Sequence, residues 1–286
     1  MKKSLIFLLV LLLVFIGTIA AVFYDGYNNA STRFYVRHET VSSTKIPSSL
    51  NNLQILILSD IHYNAFMDQE RFQLVVDKIN QANPDIIIFL GDLFDNPQDN
   101  YPSEEVISTI TAQLDSLQAP LGKFAVLGEH DLVTQETKDL VKNILYNSNF
   151  EVLENQSIRL YNNSSSYIQL VGIENEINGL PSIETAFSSV DPEHYTIVLC
   201  HTPDTATNIP NTADLILSGH SHGGQIYIPL IGPFEAIAYA EIYNHGKYHL
   251  NNTLLDVVGG VGTTKVDARV FAQAEIVVYT LKQLNP

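Results

Sequence analysis

Residues 54–62 read QILILSDIH, and this stretch sets the pattern for the rest of the chain. Gln54–Ser59 is a short apolar run with turn chemistry behind it, as expected of a strand buried on both faces. It stops on two polar residues, Asp60 and His62, with one apolar residue between them. The same design returns four more times. Asp85–Leu90 (DIIIFL) runs into Gly91-Asp92-Leu93-Phe94-Asp95, and Lys123–Leu127 (KFAVL) into Gly128-Glu129-His130-Asp131. Tyr195–Cys200 (YTIVLC) ends on His201. Ala213–Leu217 (ADLIL) leads to Gly219-His220-Ser221-His222-Gly223-Gly224.

Helices separate the first strands. Phe72, Val75, Val76 and Ile79 recur at helical spacing within Gln69–Gln81, so one face is apolar. Ser103 caps a second helix, with Glu104 and Glu105 in its first turn and Val106, Ile110, Leu114 and Leu117 inward. Thr134 starts a third, which buries Leu140, Val141, Ile144 and Leu145. After Phe150, Ser157–Leu160 and Tyr167–Ile173 flank a run of Asn and Ser and predict an antiparallel hairpin. The tail predicts strands at Tyr248–His249, Leu254–Val258 and Glu275–Leu281. Gly259–Gly262 is read as a hairpin turn, with approach to a phosphate as the alternative. The pattern is that of one mixed α/β domain over residues 53–286, with two β-sheets packed face to face and helices outside.

In α/β sheets ligands collect beyond the carboxyl ends of the strands. Five such ends here deliver Asp, His and Glu to one rim. In extended backbone, residues i and i+2 point the same way, so Asp60 with His62, and His220 with His222, read as two-toothed claws. Imidazole and carboxylate together suit manganese, iron or zinc, and a mixed oxygen and nitrogen set suits two ions close together. Two histidines in a glycine-flanked turn have no packing use. Arg269 reads as a surface ion pair or as a clamp on a substrate phosphate. Cys200, the single cysteine, excludes an internal disulfide and a Cys-based zinc site, and it reads as a small core residue.

These blocks resemble the calcineurin-like metallophosphoesterases, whose pattern is D-x-H, G-D-x-x-D, G-N-H-D/E, a lone H, then G-H-x-H. The resemblance runs from about Leu53 to Leu281 and implies a four-layer sandwich. It implies two divalent ions, manganese first, with iron or zinc as alternatives. One ion would take Asp60, His62, Asp92 and His222. The other would share Asp92 and take Glu129, His201 and His220. A hydroxide between the ions would attack phosphorus in line, His130 would assist the leaving oxygen, and Asp95 would orient the His130 ring. His222-Gly223-Gly224-Gln225, Pro229, Arg269 and Glu275-Ile276 resemble a bacterial membrane-associated branch that includes UDP-diacylglucosamine pyrophosphatase-like and cell-envelope phosphoesterases. The implied substrate is a phosphorylated small molecule, nucleotide-linked or lipid-linked, cleaved at a phosphoester or pyrophosphate bond. Glu129 departs from the pattern, which has Asn there, and opens the alternative of a non-catalytic relative that binds metal or ligand. Ala268 and Ala274 replace frequent prolines.

Composition sets the boundaries of these readings. The 286 residues carry a formal net charge of -16, from 31 acidic and 15 basic side chains. Such a chain lacks the basic footprint that general nucleic-acid binding needs, and it repels anions unless bound cations attract them locally. Ahead of the domain, Lys2 and Lys3 precede an uncharged apolar stretch to Tyr24, roughly 30 Å as a helix and so bilayer thickness. Residues 1–24 are read as a membrane anchor, with a signal peptide cut near Ala20 as the competing reading. The lysines favour a cytoplasmic N-terminus and place the domain outside the cell membrane. Residues 25–52, polar and rich in Ser, Thr and Asn, read as a stalk, with Tyr35 and Val36 in a short possible strand. The sequence is silent on oligomeric state.

Overall fold

The computed structural model describes residues 2–284. Met1, at the start of the expected anchor, and Asn285 and Pro286, at the end of the expected domain, lie outside the described residues. In chain order the elements begin with α1 (Lys2–Asn28), β1 (Phe34–Ser43), β2 (Gln54–Leu58), α2 (Gln69–Ala82), β3 (Ile86–Phe89), α3 (Glu104–Asp115), β4 (Lys123–Ala125) and α4 (Gln135–Asn147). There follow β5 (Phe150–Val152), β6 (Gln156–Tyr161), β7 (Tyr167–Gly172), α5 (Ile183–Phe187), β8 (Thr196–Leu199) and β9 (Leu215–Ser218). The chain closes with β10 (Tyr227–Ile228), β11 (Gly232–Pro233), β12 (Gly246–Leu250), β13 (Thr253–Val257) and β14 (Ala274–Gln283).

Two six-stranded mixed sheets result, in the orders β1-β14-β2-β3-β4-β5 and β12-β13-β9-β8-β7-β6. Strand alternation explains why they stack. In β2, Ile55 and Ile57 face the second sheet, where Ile197, Leu199, Leu215 and Leu217 meet them. Leu56 and Leu58 face the other way, onto Phe72, Val75 and Ile79 of α2 and Ile110 and Leu114 of α3. The outer face of the second sheet is covered more thinly, by α5 and the loops around Ala206 and Tyr243. Each fully buried Leu or Ile contributes about 1.5–3 kcal/mol of transfer free energy, so the double-sided strands are the strongest part of the molecule. The helices begin where capping predicts. Asp68, Ser103 and Thr134 accept the backbone N–H groups of Arg71, Val106 and Thr137, and Thr137 answers Thr134 in a capping box.

Two segments differ from the sequence reading. Residues 25–52 are not a free stalk. β1 pairs in parallel with β14 over its whole length, from Phe34 opposite Ala274 to Ser43 opposite Gln283. Ile46 and Leu50 beyond it are buried. The segment looks polar because β1 is an edge strand that fully buries only Phe34 on one face and Val41 on the other; the Val41 face also carries Arg37, which pairs with Glu39, Asp256 and Glu275. The Gly259–Gly262 turn is no hairpin either, since β13 and β14 belong to different sheets. It crosses between them beneath β2, where Val261 N–H donates to Ser59 O at 3.1 Å and Gly262 N–H donates to Asp60 O at 2.7 Å.

α1 stands apart from the core. Its residues from Lys3 to Asn28 form a helix long and apolar enough to cross a membrane; its most apolar 18-residue window is unburied by the rest of the chain, while Gly26 near its end is buried.

Candidate metal centre

The ends of β2, β3 and β4 in one sheet and of β8 and β9 in the other meet at a single rim. There they bring together all seven residues expected to bind metal. Nε2 of His62 and His222 lie 3.1 Å apart, and His222 Nε2 is 3.9 Å from Asp60 Oδ1. Asp92 Oδ2 lies 3.5 Å from His62 Nε2 and 3.4 Å from His201 Nε2, between the two halves of the cluster. Glu129 reaches His201 Nε2 at 2.9 Å and His220 Nδ1 at 2.7 Å.

The backbone route differs from the extended claws read in the sequence. Asp60, His62, Asp92, His220 and His222 all have φ between 48° and 68°, the left-handed region. For non-glycine residues this costs of order 1–3 kcal/mol each and persists only where the surroundings over-determine it. Here they do. Asp60 N–H donates to Gly91 O and His62 N–H to Asp92 O, while Asp60 Oδ1 accepts His220 N–H at 2.9 Å. Asp131, given no role in the sequence reading, accepts the N–H groups of Asp92, Leu93 and Gly128, each at 2.9 Å. Gly128 is required by close approach, since a Cβ there would lie 2.1 Å from Asp92 Oδ1.

The imidazoles are oriented from behind. His201 Nδ1 contacts Leu90 O at 2.6 Å and His220 Nε2 contacts Ala238 O at 2.8 Å, so each of these nitrogens carries a proton and the opposite one faces the cluster. Those inward atoms, with Asp60 Oδ2, are buried and make no aligned hydrogen bond among the described residues, the two nitrogens facing only the Glu129 and Asp92 carboxylates of the cluster itself. Buried polar atoms gathered so in one place, all of metal-ligating type, fit divalent cations. Without cations, charge is shared within the protein. Burial alone would lower His201, but Asp92 and Glu129 outweigh it and hold the ring well above its ordinary pKa. Burial would raise Glu129, yet His201 and His220 keep it well below the carboxylate range. His222 is held neutral by burial together with His62 and Arg269. Asp131 is pushed up to about 6 by burial and by Asp92 beside it.

Two roles are corrected. Asp95 does not orient His130; its Oδ1 lies 3.3 Å from His62 Nδ1. The His130 ring is set instead by the Asn96 N–H, which donates to Nδ1 at 3.0 Å. His130 Nε2 therefore carries the proton of the neutral ring. Arg269 is neither a surface ion pair nor a clamp. Burial lowers it to about 10, so it stays charged at neutral pH, and it is spent on carbonyls. Its guanidinium donates to Gly259, Gly260, Gly262, His222 and Gln273. Asn175, buried beside the cluster, turns its amide to Glu129 Oε2 at 3.4 Å. Nothing local in the sequence marks that residue.

Carboxylates and imidazoles for divalent metal ions, gathered where two mixed sheets end together, define a metal-dependent phosphoesterase. The chain belongs to the calcineurin-like phosphoesterase family, whose sequence model matches residues 53–224. It is 33% identical over 249 residues to the uncharacterized metallophosphoesterase YkuE of Bacillus subtilis, covering 86% of this chain and 85% of that one. It is 29% identical over 268 residues to the transmembrane protein with metallophosphoesterase domain of Bos taurus, and there spans 88% of this chain but 58% of the relative. Among solved structures, a dimetal phosphatase from Danio rerio matches with a TM-score of 0.47 at 12% identity, over 81% of this chain and 93% of that one.

Proposed function

We propose that this protein hydrolyses phosphoester or pyrophosphate bonds in a phosphorylated small molecule, nucleotide-linked or lipid-linked, on the outer side of a membrane crossed by α1. The observation that carries the reading is the convergence of seven ligand-type side chains from five strand ends, with the inward nitrogens of His201 and His220 facing only carboxylates of the same cluster. Asp60, His62, Asp92 and His222 would hold one ion, and Asp92, Glu129, His201 and His220 a second, with manganese as the first choice. Such ions supply Lewis acidity toward a phosphoryl oxygen and a nucleophile drawn from water at neutral pH. His130 lies outside both sets, and the Asn96 N–H keeps its proton on Nε2. From there it donates a hydrogen bond to the leaving oxygen and stabilises the charge building on it, a role worth about 10²–10³ in rate. Glu129 cancels a unit of positive charge that an amide would leave, so the site favours diesters over dianionic monoesters. The cytoplasmic side is assigned to the N-terminus because Lys2 and Lys3 precede the span.

The test is manganese content and turnover of the full chain, alone and as His130→Ala. Two ions per chain, unchanged in the variant, with turnover down about a hundredfold, support the assignment. A single ion per chain, or loss of metal together with activity, refutes it.

A further inference from the structure

Beside His222 opens a cavity of about 250 Å³ walled by Ile226, Phe234, Ile237 and Val266, with Glu235 and Lys265 paired at its rim. Apolar walls next to a site built for an anion serve no purpose for phosphate. They suit the hydrocarbon part of the molecule that carries it. Outside the cavity, the β10–β11 hairpin turns Ile228 to solvent and leaves Leu230 and Ile231 four-fifths or more exposed, and Phe234 at the cavity mouth is itself three-quarters exposed. Soluble surfaces rarely leave such a cluster bare.

The hairpin is continuous with the membrane helix. Gly26 O accepts the Arg269 N–H at 3.0 Å, Val270 N–H donates to Gln225 O at 2.9 Å, and Tyr227 N–H donates to Val270 O at 2.8 Å. Phe271, also exposed, lines a cleft whose other wall is Thr18, Ala21 and Val22 of α1. The apolar stretch of α1 ends at Tyr24, so Thr18 lies roughly 9 Å inside it at 1.5 Å per residue. Phe271 is therefore level with the start of the bilayer.

We infer that Phe271 and the 227–233 hairpin dip into the bilayer surface beside α1, and that the cavity next to His222 receives the hydrocarbon segment of a phosphorylated amphiphile taken from that leaflet. The substrate is then a lipid phosphoester, held with its headgroup at the metal ligands. This rests on the phosphoesterase reading for the headgroup and on α1 crossing the membrane. Uptake needs no departure from the bilayer, since the cavity adjoins the hairpin.

The test uses the full chain in phosphatidylcholine nanodiscs, with a nitrobenzoxadiazole label on Leu230→Cys or on Ser165→Cys. Ser165 lies in the β6–β7 turn, at the end of the second sheet away from the ligands, and Cys200 is buried and does not compete for label. Spin-labelled phosphatidylcholine should quench the label at 230 several-fold more strongly than the label at 165; equal quenching overturns the membrane contact. Calorimetric titration of the manganese-loaded chain with ethyl and hexyl phosphate tests the cavity. Each buried methylene is worth about fourfold, so hexyl phosphate should bind at least about tenfold more tightly. Phe234→Asp should bring the ratio toward one. Equal affinities in the unaltered protein, or a ratio the variant leaves intact, overturn the assignment. Failure to hydrolyse soluble bis(p-nitrophenyl) phosphate would sink the proposed activity while leaving both results standing.

Discussion

Replacing Arg269 with methionine should destabilise the domain by about 3–5 kcal/mol, the cost of leaving its buried carbonyl partners without a donor. The magnitude follows from the carbonyls it serves. Gly260 O also accepts Glu275 N–H, and His222 O accepts Gln225 N–H, so these two keep a donor when the guanidinium is lost. Gly259, Gly262 and Gln273 have Arg269 as their only donor among the described bonds. Three buried carbonyls orphaned at about 1–3 kcal/mol each give about 3–9 kcal/mol, and water reaching the opened site keeps the loss to the lower part of that span. Methionine fills much of the volume, so the loss is polar and not a cavity effect. For a domain of this size, each kcal/mol moves Tm by roughly 2–4 °C, giving a drop of roughly 6–20 °C. Calorimetry in excess chelator removes any contribution from bound metal. Metal affinity should fall separately, because the freed 259–262 loop no longer supports the backbone of Ser59 and Asp60. A shift of less than about 2 °C would show that water or main chain already satisfies those carbonyls, and the reasoning would fail.

Glu129→Asn should strengthen inhibition by inorganic phosphate and move preference toward monoesters, by about 1–3 kcal/mol at an effective dielectric near 20; unchanged inhibition constants would remove Glu129 from the centre. Cation binding at pH 7 should release protons, because Asp92 and Glu129 outweigh burial to hold His201 well above its ordinary pKa, and a metal-bound ring must be neutral on the binding nitrogen. Titration calorimetry in buffers of different ionisation enthalpy would detect this, and a buffer-independent heat would refute it. Burial tends to raise Glu154, but hydrogen bonds from Lys138 and Lys142 outweigh it and leave its pKa lowered. Its contribution is therefore present above the ordinary carboxyl range and lost as pH falls through the folded value. Glu154→Gln should cost about 1 kcal/mol or less at pH 7 and nothing once the carboxyl is protonated in both states, as denaturant melts at the two pH values would show.

Some of this architecture is legible in the sequence for definite reasons. β2, β3, β8 and β9 are covered on both faces, so they read as unbroken apolar runs, and each ends on the residues that matter. The helices of the first sheet announce themselves through Asp68, Ser103 and Thr134. Of β1 only Tyr35 and Val36 are legible as a strand, because an edge strand buries few residues, here Phe34 and Val41, and Arg37 between them disguises the rest. Arg269 was misread because its partners are carbonyls, which have no sequence signature. The left-handed ligands were invisible too. Asp and His at those positions look ordinary, and the glycines beside them mark a sharp turn without giving its hand. Asp95 went to the wrong histidine because His62 and His130 lie edge to face with ring centroids 5.0 Å apart, a choice only coordinates can make.

The parallel union of β1 with β14 has a consequence for the order in which the molecule can be made. Arg37 and its partner Glu275 are 238 residues apart in the chain, so at 5–20 residues per second the ribosome needs roughly 12–50 s to supply the second after the first. Throughout that interval β2 has a bare side, because β14 is the strand that separates it from β1. The slot between them must stay open until β14 has emerged, which makes it the last seam of that sheet to close and the most exposed to pairing with another chain. α1 precedes β1 in the chain and would hold it near the membrane meanwhile. Closing the seam then joins β14 to β1. It also brings the 269–273 segment, which immediately precedes β14, against the helix and the metal ligands. A nascent chain should thus gain the bond between Arg269 and Gly26 of α1, and the backing of the His222 loop by Arg269, in the same late step.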